Sequence, residues 1–129
     1  MMEAMMKIIK QRHKNGCGVA AIAMISGRSY KEIFRMIHGK GRAREYDGTD
    51  LDEELRALER LGIRCSVSYR RGIIKKTELG LISIGMGKSY TNHMLVYIGN
   101  GKMIDPYDGK VKLTRWWEDA FYRMIRIEE

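Results

Sequence analysis

Hydrophobic residues recur at helical spacing along the first half of the chain and at strand spacing along the second. Cys17–Ser26 (CGVAAIAMIS) is apolar on every side, the pattern of a helix buried all round, and Gly27 supplies its stop. Residues 29–38 open with Ser29-x-x-Glu32, a capping box, and align Tyr30, Ile33, Phe34 and Ile37 along one buried stripe. A polar, Gly-containing loop over 39–48 follows. Thr49 is then placed to cap a third helix, with Asp52, Glu53 and Glu54 near its positive end. Leu51, Leu55 and Leu58 line its inner face, and Gly62 ends it.

Beyond Gly62 the period changes. Cys65, Val67 and Tyr69 alternate with polar residues, as in a half-buried strand. Residues 79–84 form a short apolar strand. Residues 94–98 form a continuous apolar run, followed by Gly99-Asn100-Gly101 and then Lys102–Asp105, a hairpin signal. Thr114 can cap a last short helix through Trp116, Trp117 and Phe121, and Tyr122–Ile127 returns as a final strand. Helices first and antiparallel strands second predict an α+β fold, with N-terminal helices packed on a C-terminal antiparallel sheet.

Length leaves that picture intact: 129 residues without a repeat or a Pro/Ser-rich linker predict one domain over 1–129. A domain of this size buries enough core to need no metal or disulfide. Two cysteines make no disulfide framework, and a reducing compartment suits them. The opening MMEAMMKIIKQRHK lacks the apolar run of a signal peptide, and no stretch is long and apolar enough to span a membrane. The expected location is therefore cytoplasmic. The formal charge of +8 would favour an acidic partner surface, an anionic membrane or nucleic acid. The cations are scattered, however, and form no detached basic tail, so a basic solvated surface is expected and nucleic acid is not the expected partner.

Cys17 begins the buried helix between Gly16 and Gly18. A helix start favours thiolate over thiol, and flanking glycines would let a substrate backbone approach the sulfur. A small core cysteine would look the same. His93 opens an apolar strand, where an imidazole has no packing role, and could act as the base that a thiolate nucleophile needs. Asp105 ends the partner strand before Pro106 and could fix the tautomer and orientation of His93. That pairing predicts a hairpin loop of three residues, Gly99-Asn100-Gly101. Asp105 would then lie opposite Leu95, on one face with His93; a regular two-residue turn would put the two on opposite faces. Gln11, six positions before Cys17, could aim its amide at a developing oxyanion together with the Cys17 N–H.

Gln11, a short loop, Cys17-Gly18 and Ala20-Ala21-x-Ala23-Met24 together resemble the nucleophile segment of the double-glycine leader peptidases. These are papain-like domains that process bacteriocin precursors and are usually fused to the front of an ABC exporter. Their Q-x4-D-C-G-x-A pattern has the same six-residue step, their His opens a hydrophobic strand as in His93-Met94-Leu95-Val96, and their Asp precedes a Pro as in Asp105-Pro106. The resemblance implies a papain-like fold with Cys17 as nucleophile, His93 as general base and acid, Asp105 as orienter and Gln11 in the oxyanion hole. Gly16 stands where the family has Asp, and Asn92 where it commonly has Gly. No transmembrane or ATP-binding part follows, so a transporter-coupled role is not expected.

The function these residues imply is that of a cysteine-type peptidase, a hydrolase acting on a peptide or protein substrate through an acyl-enzyme. An acyltransferase or amidase using the same thiol is the alternative, and a non-catalytic basic binding module is a third. No cofactor is expected. His13 and His38 fall in a loop and at a helix end, and no His/Cys spacing suits zinc. Cys65 reads as a buried strand residue. Trp116 and Trp117 read as helix-to-sheet packing, with a substrate groove as the other possibility. The oligomeric state, the substrate sequence and the choice between hydrolysis and acyl transfer stay open.

Overall fold

A computed structural model of the chain describes residues 6–39, 48–85, 92–114 and 121–128. The all-apolar segment forms helix α1 (Cys17–Ser26), in which every residue from Gly18 to Met24 is buried. Gly27 ends it in the left-handed conformation (φ 73°), its N–H returning to the Ala23 carbonyl. The amphipathic segment forms α2 (Tyr30–His38), started by Ser29, whose Oγ accepts from the Glu32 N–H at 3.1 Å. Tyr30 and Ile33 are buried on its inner face.

Helix α3 (Leu51–Arg60) starts one residue later than expected. Its cap is Asp50, which accepts from the Glu53 N–H at 2.8 Å while the Glu53 carboxylate accepts from the Asp50 N–H at 3.1 Å. A charged cap facing the positive end of the helix fits this role well. Thr49 is drawn elsewhere. Its hydroxyl donates to the Glu54 carboxylate at 2.7 Å.

Among the described residues six strands make one antiparallel sheet: β1 (Cys65–Arg70), β2 (Gly80–Gly85), β3 (Asn92–Gly99), β4 (Lys102–Asp105), β5 (Lys110–Leu113) and β6 (Tyr122–Ile127). Their order is β1-β6-β2-β3-β4-β5, so β2 and β3 are interior and β1 and β5 are edges. Leu81, Met94, Val96, Ile104 and Ile125 pack on the helices. Ile82, Leu95, Tyr97, Met103 and Met124 fill a second core on the opposite face. Burial on both sides explains why residues 94–98 are apolar without alternation. The α+β arrangement is therefore the expected one. Two local expectations change. Tyr69 is 73% exposed, because it lies near the end of an edge strand whose inner positions, Cys65 and Val67, pack on the helical core. Strand β5, Lys-Val-Lys-Leu, was not expected, its two lysines and partly exposed aliphatics giving too weak an apolar signal. Trp116 and Trp117 lie outside the described residues. Among the described residues no helix is long and apolar enough to cross a membrane.

Helix and sheet are joined by one buried ion pair. Glu54 on α3 is 2% exposed and accepts from Arg123 Nη2 of β6 at 2.8 Å. Burial pushes its carboxyl up to about 7, although Thr49 and Arg123 both pull the other way. Between the ordinary carboxylate range and that value, the folded protein holds a proton that the unfolded chain has released. This contribution is complete at low pH and is lost as pH rises through about 7. Urea midpoints measured from pH 5 to pH 8 should therefore include a decline that Glu54→Gln removes; an unchanged pH slope in that variant would contradict the assignment.

Candidate active site

The hairpin between β3 and β4 determines where Asp105 falls. Asn100 and Gly101 both have positive φ (54° and 73°), the signature of a two-residue turn closed by the pair Gly99–Lys102. The expected three-residue loop is thus absent. Yet Tyr97 pairs with Met103 and Val96 with Ile104, so β3 carries one extra residue, Ile98, between the turn and the ladder. This β-bulge shifts the register by one and sets Asp105 opposite Leu95, the register the longer loop would have produced. The turn is braced from outside: the Asn100 N–H donates to the Lys76 carbonyl at 3.1 Å, and the Gly101 N–H donates to the Tyr97 hydroxyl at 3.0 Å.

On that register His93 Nε2 lies 2.6 Å from Asp105 Oδ1. The Tyr107 N–H also donates to Oδ1, at 2.9 Å, and Lys112 Nζ donates to Oδ2 at 2.8 Å. Burial works to raise the Asp105 pKa, but Lys112, the Tyr107 N–H and His93 outweigh it and hold the carboxyl below its ordinary range. His93 is held above its ordinary value. The first cause is its side-chain hydrogen bond with Cys17; burial opposes it, and Asp105 adds to it. His93 shares the parity of Leu95 and Tyr97, which belong to the second core, and β3 is an interior strand.

Cys17 is a free, half-buried cysteine at the first position of α1. Its flanking glycines serve the protein's own packing more than an approaching substrate. A Cβ on Gly16 would lie 2.1 Å from the Tyr30 hydroxyl, and one on Gly18 would lie 2.0 Å from Thr49 Oγ1. Both sides of the cysteine are thus clamped: α2 presses on the loop before it, and the Thr49–Glu54 pair presses on the first turn of α1.

Gln11 is half-buried, and its backbone N–H donates to the Pro106 carbonyl at 2.8 Å, tying the N-terminal segment to the turn after Asp105. Its side-chain Nε2 donates to the carbonyls of His13 (3.1 Å) and Lys14 (2.9 Å) in the loop leading to Cys17. Both amide hydrogens are therefore engaged in this conformation. The His13 carbonyl also accepts from the Gly16 N–H at 3.0 Å, so it keeps a partner without Gln11. His13 itself lies 2.9 Å from the Tyr30 hydroxyl and stacks on Phe34 with ring centroids 4.7 Å apart. Cys65 has its thiol pKa raised by burial and then by Glu128. Among the described residues no group of three His, Cys, Asp or Glu could hold a metal ion. A groove of about 900 Å³ runs between residues 6–12 and 23–30, and neither Cys17 nor His93 lines it. Sequence reasoning missed Lys112 and the Thr49–Glu54 clamp. The alternation of Lys110 and Lys112 along β5 was the available sign of the first, and Thr49 facing Gly18 had none.

No protein-family model matches the sequence, and no curated protein matches it. Solved structures do. The peptidase domain of Streptococcus ComA, a bi-functional ABC transporter involved in a quorum-sensing pathway, superposes with a TM-score of 0.64 at 15% identity, over 95% of this chain and 98% of that one. A double-glycine motif protease from an AMS/PCAT transporter, in complex with its leader peptide, superposes with a TM-score of 0.62 at 14% identity, over 95% and 92%. Among the described residues three helices pack on a six-stranded antiparallel sheet, and the layout of these two domains over nearly its full length gives this chain the papain-like peptidase fold.

Proposed function

We propose that the protein is a cysteine peptidase whose nucleophile is Cys17, whose base is His93 and whose orienter is Asp105. The observation that carries this reading is the His93 ring, bonded through Nε2 to Asp105 and interacting also with Cys17. Asp105 selects the tautomer that keeps Nδ1 open to the thiol proton. The thiolate left behind faces the positive end of α1, which stabilises it, and attacks the peptide carbonyl. His93 then hands its proton to the leaving amine, and water, activated by the same ring, releases the acyl group from sulfur. The solved peptidase domains with this fold support a peptide as substrate, one of them holding a leader peptide.

The oxyanion formed in the attack needs donors. The Cys17 N–H at the helix start is one. Gln11 becomes the other by exchanging its longer bond, to the His13 carbonyl, for the substrate oxygen, since that carbonyl retains the Gly16 N–H.

Mass spectrometry after brief iodoacetamide treatment should show Cys17 alkylated well before Cys65, whose thiolate is disfavoured by burial. Equal, slow labelling of both would sink the proposal. Cys17→Ala and His93→Ala should each lower peptide turnover by several orders of magnitude with little change in thermal midpoint. Gln11→Ala should lower kcat roughly 100- to 1,000-fold, the usual loss for one oxyanion donor. A variant with wild-type kcat would instead leave Gln11 as a fastener of the loop.

A further inference from the structure

Asp105 is held by more than His93. Its Oδ1 accepts from His93 Nε2 and the Tyr107 N–H, and its Oδ2 accepts from Lys112 Nζ at 2.8 Å. Lys112 also reaches Asp108 Oδ2 at 3.0 Å, and Asp108 Oδ1 accepts from the Lys110 N–H at 3.0 Å. The strand register makes this arrangement. β5 sets Lys110 opposite Asp105 and Lys112 opposite Met103, so Lys112 is a same-face diagonal neighbour of Asp105. The intervening turn is closed by the Gly109 N–H donating to the Asp105 carbonyl at 2.8 Å. His93, Asp105, Lys112 and Asp108 therefore form one chain of alternating partners across three strands and a turn.

We propose that Lys112 is a positioning residue of this site: it fixes the Asp105 carboxylate against His93 and, by placing a positive charge on its second oxygen, limits how strongly that carboxylate favours the imidazolium. The consequence for catalysis rests on the reading of Cys17 and His93 given above; the effect on the His93 ring does not.

Among the described residues, the titratable groups that act on the ring are Cys17 from α1 and Asp105 from β4; Asp105 is bonded in turn to Lys112 of β5, which also reaches Asp108 in the turn, and Lys110 stands opposite Asp105 in the ladder. In the N-terminal segment, the Lys10 methylenes pack near Gly109. Of the lysines, Lys112 is the one bonded to the carboxylate that His93 uses. Asp105 and then Asp108 raise the Lys112 pKa, so it stays charged wherever a thiol and an imidazole titrate. Removing that charge leaves Asp105 uncompensated. The imidazolium is then favoured to higher pH, and the thiolate–imidazolium pair lasts to higher pH with it.

The test is NMR titration of the ¹⁵N-labelled His93 ring in the full chain, with peptide kcat/KM measured against pH on the same samples. Lys112→Met should move the His93 midpoint upward by about half a pH unit or more, and move the alkaline limb of kcat/KM the same way. Lys112→Arg, which keeps the charge, should return both to wild type. A His93 midpoint that stays put or falls in folded Lys112→Met, even with lower activity, would overturn the proposal. If the midpoint rises while the wild-type protein cleaves no peptide, the Lys112 assignment stands and the peptidase reading fails. Should Lys112→Met not fold, Lys112→Gln gives the same neutral charge and the same two outcomes.

Discussion

The contact between His93 and Asp105 depends on the parity of a β-ladder, and one bulged residue sets that parity. Side chains along a strand alternate between faces, so a register shift of one residue moves every side chain to the other face. The turn at Asn100-Gly101 would by itself pair β3 and β4 in the register that separates these two side chains. Ile98, inserted between that turn and the ladder, reverses the outcome. The site therefore rests on a local irregularity that the hairpin must keep, and the Lys76 carbonyl, the Tyr97 hydroxyl and a buried apolar strand on either side keep it.

The second half of the site comes from a helix whose position is over-determined. α1 is enclosed by α2, α3 and the sheet, and its first residue is bounded by Tyr30 on one side and Thr49 on the other. Any side chain at 16 or 18 would have to displace an oxygen about 2 Å away. Thr49 is in turn fixed by the buried Glu54, and Glu54 by Arg123 on the sheet. The sulfur and the imidazole are thus held by opposite layers of the fold, each through its own set of polar contacts.

Asp105 is tied at both oxygens and by its own backbone, an arrangement that would place the carboxylate for its proposed orienting role before any substrate arrives. Such fixation suits catalysis by preorganised charge, in which little rearrangement is left for the reaction step. Gln11 differs. Its amide is bonded within the loop it would help from, and the doubly accepting His13 carbonyl is what makes an exchange of partners inexpensive.

The amino-acid sequence by itself determined the elements that follow from periodicity. The all-apolar α1, the stripe and Ser29 cap of α2, the uninterrupted run of β3 and the hairpin after it were all legible, because burial and capping act over a few residues. Cys17, His93 and Asp105 stood out in the sequence as candidates, His93 because an imidazole has no packing role at the start of an apolar strand. Thr49 against Asp50 as helix cap was decided by a carboxylate that α3 buries, Tyr69 by its place on an edge strand, and β5 by the partner that its weak pattern needed. The bulge at Ile98, the filling of space beside Gly16 and Gly18 and the Lys112–Asp105 bond depend on atoms far apart in sequence or on a register summed over two strands. Only the folded chain could decide these, because such contacts exist only after the layers have packed.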